Sequence, residues 1–126
     1  MDYRSPLSKA RGLGSAKSGT GHWWLQRVSA VALIPLSYWL VVFLGYCQHN
    51  TYQQTVAWLT TPVNTVAIFA WIILVFYHAA LGVQVVFEDY VPKEGQKIIL
   101  IWSANLVFLF LGLAAILAVF RILLAG

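Results

Sequence analysis

Three long apolar runs leave this chain little choice of fold. They are Arg27 to Cys47 ("RVSAVALIPLSYWLVVFLGYC"), Pro62 to Phe87, and Lys97 to the C-terminus. Each reaches the ~20 residues that carry a helix across a hydrocarbon core about 30 Å thick. Lipid offers backbone amides no water, so each run must satisfy its hydrogen bonds within itself, as a helix. The alternating segments of a membrane barrel are absent. Composition agrees: 60% of the residues are hydrophobic and 10% are charged, against roughly 25% charged in a soluble domain. The sequence predicts an all-α membrane protein of one domain. A basic N-terminal arm over residues 1–22 precedes a three-helix transmembrane anchor over 23–126, with spans at about 27–47, 62–88 and 97–121.

The net charge of +4 does not point to nucleic acid, because of where the charge lies. Arg4, Lys9, Arg11, Lys17 and Arg27 all come before or at the start of the first run, and the loop Gln48 to Thr61 carries no Lys or Arg. The positive-inside rule then puts the N-terminus and the second loop in the cytoplasm. The arm is rich in Gly and Ser and is expected to be flexible or ordered by a partner. It shares Arg and Ser richness with mitochondrial transit peptides, but Pro6 and its glycines oppose an amphipathic helix. Cys47 is the single cysteine, so the chain can form no internal disulfide, iron–sulfur site or covalent c-type haem link. It reads as a small apolar filler. Pro35 is expected to bend the first helix. Trp23, Trp24, Trp58 and Tyr90 are expected to sit at the membrane interfaces.

The chemistry lies in "VFYHAALGVQVVFEDYVPKEGQK", Val75 to Lys97. His78 falls sixteen residues after Pro62 and eleven before Asp89, or about 24 Å and 16 Å along a helix. It therefore lies near mid-membrane, where an ionisable side chain signals function. Three roles are open to it: axial haem-iron ligand, interhelical hydrogen bond, or proton relay. Gly82, one turn further on, permits a flat macrocycle to approach, although small residues also serve helix packing. Eleven steps of about 100° return to nearly the same face, so His78, Gly82, Val85 and Asp89 form one stripe. Tyr90 offers a phenol donor near the interface. Glu88, Asp89 and Tyr90 can equally be a polar helix end.

Arg27, at the start of the first span, can anchor that helix by snorkelling or pair with a carboxylate such as a haem propionate. Gln26 and Ser29 add hydrogen-bonding capacity nearby. His22 lies at the membrane surface, and His49 on the opposite side. Neither reaches an iron held by His78, so a bis-histidine haem requires a histidine from a second chain.

The basic arm, "HWWLQRVSAVALIPL" and "YHAALGVQVVFEDYV" together resemble the hydrophobic membrane-anchor subunits of bacterial succinate dehydrogenase, the smaller of two anchors, over nearly the whole chain. The specific part is His-x10-Asp-Tyr at the end of the second of three spans. The resemblance implies pairing with a second cytochrome b anchor, with haem b held between histidines from each chain and His78 as this chain's iron ligand. It implies iron–sulfur and flavoprotein partner subunits on the cytoplasmic face, which pass electrons from succinate to ubiquinone. Tyr90 would bond a quinone carbonyl, Asp89 would support that site or its proton supply, and Arg27 would sit near the haem propionates or quinone pocket. Trp23 and Trp24 fall where the family varies. With no flavin fingerprint and no cysteine clusters, the chain would carry no catalytic residue for succinate. The implied location is a bacterial inner membrane, or alternatively the mitochondrial one. A fumarate reductase anchor, or a small non-enzymatic accessory protein with His78 as an interhelical hydrogen bond, are the other readings.

Overall fold

A computed structural model describes residues 3–14 and 19–125. Lys17 of the arm lies outside these residues. The described chain is helical: α1 (Pro6–Arg11), α2 (Gly19–His49), α3 (Tyr52–Leu59), α4 (Pro62–Tyr90) and α5 (Glu94–Ala125). Helices α2, α4 and α5 are each long and apolar enough to cross a membrane.

Each long helix outruns its apolar segment. Helix α2 begins eight residues before Arg27 and runs through Pro35 without a break. Helix α4 starts with Pro62 in its first turn, where proline's missing N–H costs nothing. It ends at Tyr90, because Val91 is extended (φ −97°, ψ 112°), as a residue before proline prefers. Three residues, Val91 to Lys93, then reverse the chain into α5.

Two short helices occupy stretches expected to be irregular. Ser5 caps α1 through the Ser8 amide, with Pro6 in the first turn. The six-residue α1 buries no side chain. Helix α3 lies in the loop between the first two spans, held by a reciprocal capping box. The Thr51 hydroxyl accepts from the Gln54 amide, and the Gln54 side chain accepts from the Thr51 amide.

Helix α4 is the middle of the layer. It packs on α2 and on α5, whose backbones do not approach each other closely. The core joins Leu59, Ile68 and Ile72 to Trp39, Phe43, Phe76 and Ile116. Ser29 is the only buried polar residue among those described, and α5 buries none of its residues. Such a layer leaves broad apolar faces for lipid or partner helices.

Three hydrogen bonds pin α2 to α4, each to a residue seven positions after the last. Trp39 Nε1 donates to Asn64 Oδ1 at 2.9 Å, Trp71 Nε1 donates to Ser37 Oγ at 3.2 Å, and His78 Nδ1 meets Ser29 Oγ at 2.8 Å. A seven-residue step returns to almost the same helix face, so one line on α4 carries all three contacts. Such bonds average about 0.6 kcal/mol within membranes. At the end of the layer near α3, Trp58 does more than mark an interface. Its ring stacks on Trp39, Phe43 and Tyr46 at centroid distances of 5.9, 5.7 and 5.1 Å.

Asn64 is the hub of that end. Its Nδ2 donates to the Trp58 carbonyl at 2.9 Å and to Thr61 Oγ1 at 2.8 Å. Asn64→Ala strands the Trp39 indole N–H and is expected to cost about 2 kcal/mol, read as a lower unfolding temperature in detergent. Asn64→Leu combined with Trp39→Phe, which removes both partners, should recover most of that loss. An unchanged unfolding temperature in Asn64→Ala would show that the bond carries no stability.

Candidate functional site

The site is built where α2 begins and α4 ends. Helix α2 turns His22, Gln26 and Ser29 to one side, since steps of four and seven residues nearly repeat a helix face. Helix α4 answers with Tyr77, His78, Leu81, Gln84, Val85 and Glu88. Between them lies a cleft of about 870 Å³, lined by His22, Gln26, Tyr77, Gln84, Val85 and Glu88 among others.

His78 borders this region, partly buried. Its Nδ1 lies 2.8 Å from Ser29 Oγ, and the Ser29 hydroxyl donates to the Gln26 carbonyl at 3.0 Å. Ser29 is 3% exposed. One of the roles open to His78, an interhelical hydrogen bond, is therefore present. It occupies one ring nitrogen of two.

Space for a flat group lies one turn along. A Cβ added to Gly82 would meet nothing within 4 Å, and Ala79 and Ala80 keep the neighbouring surface low. His22 Nε2 is buried and has no hydrogen-bond partner among the described residues. A buried polar atom left unpaired is a site with unmet hydrogen-bonding demand. These observations fit a haem: an imidazole with a nitrogen to spare, open backbone one turn away, and an unpaired polar atom nearby.

The condition for the stripe is met, because α4 stays helical to Tyr90. Asp89 and Tyr90 end that helix in the open, with Tyr90 81% exposed. Glu88 accepts from Gln84 Nε2 at 2.9 Å. Arg27 is not brought to this group. It is exposed and stands two residues from Ser29, about 200° around α2. Its guanidinium lies 5.3 Å from the Trp23 ring centroid, a cation–π contact, and no ion pair joins it to Asp89 among the described residues. His49 closes the far end of α2, twenty residues beyond Ser29, or about 30 Å along the helix. No cluster of three or more His, Cys, Asp or Glu residues suited to a metal occurs among the described residues.

Two contacts were not among the sequence expectations. The bond from Ser29 to His78 depends on the register between α2 and α4. Trp23, assigned only to the interface, supports Arg27. The one signal for the latter was spacing, since residues four apart share a helix face.

Comparison with known proteins shows the family. Residues 1–119 match the family described as succinate dehydrogenase/fumarate reductase transmembrane subunit. The succinate dehydrogenase hydrophobic membrane anchor subunit of Rickettsia bellii is 38% identical over 120 residues, covering 94% of this chain and 95% of that protein. The protein of the same name from Paracoccus denitrificans is 30% identical over 82% of this chain and 80% of its own length. The succinate dehydrogenase membrane anchor subunit of Reclinomonas americana is 30% identical, covering 72% and 78%. No solved structure matches the chain. By family match, relatives and three apolar helices together, the chain belongs to the transmembrane subunits of succinate dehydrogenase and fumarate reductase, as a hydrophobic membrane anchor.

Proposed function

We propose that this anchor holds one side of a haem b shared with a second anchor subunit and forms part of the ubiquinone site of a succinate dehydrogenase. Electrons would travel from succinate through flavoprotein and iron–sulfur subunits to quinone. The names of the relatives favour that direction over fumarate reduction. The observation that carries the reading is His78. It stands mid-helix, held by Ser29 through one nitrogen, beside open backbone at Gly82.

Each residue has a definite task on this reading. His78 would hold the iron, and the partner anchor would supply a second histidine. When bound, the haem offers a one-electron centre whose potential depends on its ligands and burial. Gly82 leaves room for the macrocycle plane. Tyr90 donates its phenol proton in a hydrogen bond to a quinone carbonyl, and that bond strengthens as negative charge builds on the oxygen. Asp89, beside it at the helix end, supports that site or supplies protons to it. Arg27, propped by Trp23, presents a planar fork of donors to a propionate or to the quinone pocket. The basic arm stays in the cytoplasm of a bacterium, and the layer sits in its inner membrane. Lipid and partner helices cover the open faces.

The test is a reduced-minus-oxidised visible spectrum of the purified complex together with its succinate–quinone activity. A b-type band with activity is expected; absence of both would sink the reading. Gly82→Leu adds a finer test. A Cβ at Gly82 meets no neighbour within 4 Å in the fold, so assembly should persist while haem content falls several-fold. Full haem content in that variant would count against a macrocycle at this face.

A further inference from the structure

We infer that Ser29 is the positioning residue for His78: its hydroxyl fixes the imidazole as the Nδ1–H tautomer and so leaves the Nε2 lone pair as the iron donor. The inference rests on the haem reading above and deepens it.

The argument counts protons. A serine hydroxyl has one proton and two lone pairs. That proton is directed at the Gln26 carbonyl, 3.0 Å away on the preceding turn of the same helix. Toward His78 the oxygen can then only accept. The 2.8 Å contact to Nδ1 therefore requires a proton on Nδ1. Neutral imidazole has one N–H in total, so Nε2 is bare. The opposite arrangement, with serine donating to Nδ1, would put the proton on Nε2 and leave no lone pair for a metal.

Burial narrows the choice of partners. Ser29 is 3% exposed, so water does not compete for its oxygen, and its helix-bound neighbour Gln26 cannot swing away. Metal-bound histidines nearly always donate their other N–H to a fixed acceptor, which orients the ring and raises its basicity. In this chain that acceptor is a hydroxyl on the adjacent helix, and the same contact is the third link between α2 and α4. One bond therefore ties helix register to ligand chemistry.

The experiment uses the assembled complex, carrying wild-type anchor, Ser29→Ala, Ser29→Thr, Ser29→Cys or His78→Ala. The readouts are haem per flavin, the rate of haem loss in detergent, and the haem midpoint potential by optical titration. Membrane-bound succinate oxidation with a soluble dye monitors assembly. In Ser29→Ala we expect haem retention to weaken about tenfold or more. The midpoint potential should rise, because a less basic ligand favours ferric iron less. A tenfold loss of that preference corresponds to about 59 mV for one electron. Ser29→Thr, which keeps the hydroxyl, should restore both values.

Ser29→Ala with wild-type potential and retention would overturn the inference while leaving His78 as ligand. Failure of Ser29→Thr to restore either value would do the same. If Ser29→Ala does not assemble, Ser29→Cys decides, because sulfur keeps the volume but accepts weakly. A raised potential there supports the inference, and an unchanged one overturns it. A wild-type complex without haem, or His78→Ala with an unaltered spectrum, would overturn the haem reading itself and the inference with it.

Discussion

His78→Ala is expected to abolish the b-type absorption of the assembled complex or to convert it to a weak, altered spectrum. On the proposed reading, alanine removes the iron donor; it also removes the link to Ser29, the third of the three bonds that join α2 and α4. The two losses can be told apart. The structural part is one interhelical bond, about 0.6 kcal/mol on average and at most about 1.7. A loss that small should leave assembly and dye-linked succinate oxidation largely intact. The ligand part is all or none, because no other histidine of the described chain reaches that depth. Haem content near zero with assembly retained is the expected result, measured by haem per flavin. Haem at the wild-type level would remove His78 from the site.

Tyr90→Phe is the second large effect. The substitution keeps the ring and deletes one hydroxyl at the exposed end of α4. A hydrogen bond to an oxygen gaining charge is worth about 1.5–3 kcal/mol, so quinone reduction should slow roughly 10- to 100-fold. Succinate oxidation with a soluble dye, which bypasses the quinone, should persist. Equal loss of both activities would assign Tyr90 to assembly instead. Because Tyr90 closes its helix and packs on nothing that phenylalanine cannot replace, the variant carries little structural risk.

The long helices were readable from run length alone, since the hydrocarbon thickness sets a minimum that only three segments meet. Their ends were not, because a helix can continue past lipid at no penalty, as α2 does back to Gly19. Helix α3 carried a legible signal that apolar runs obscure: Thr51-x-x-Gln54 is a capping box written in the sequence. Within the site, the stripe from His78 to Asp89 followed from spacing on one helix. Ser29 did not, because its meeting with His78 depends on how α2 and α4 are set against each other. The seven-residue series Asn64, Trp71, His78 held a trace of that register, visible only once their partners Trp39, Ser37 and Ser29 are known. The openness of the layer, with α2 and α5 apart, has no counterpart in any local pattern.

The line of bonds between α2 and α4 also acts as a depth gauge. Its outermost member, Trp39 with Asn64, lies about 21 Å along α4 from His78. Sliding one helix past the other by a single turn, about 5.4 Å, would break all three contacts at once. The helix pair therefore has one permitted setting and no graded neighbours. On the proposed reading, an iron at His78 inherits that setting, and so does its distance from the carriers docked at the membrane surface. Electron transfer between buried centres weakens steeply with separation. Residues at the far end of the layer, which touch neither haem nor quinone, would thus take part in setting how fast electrons arrive.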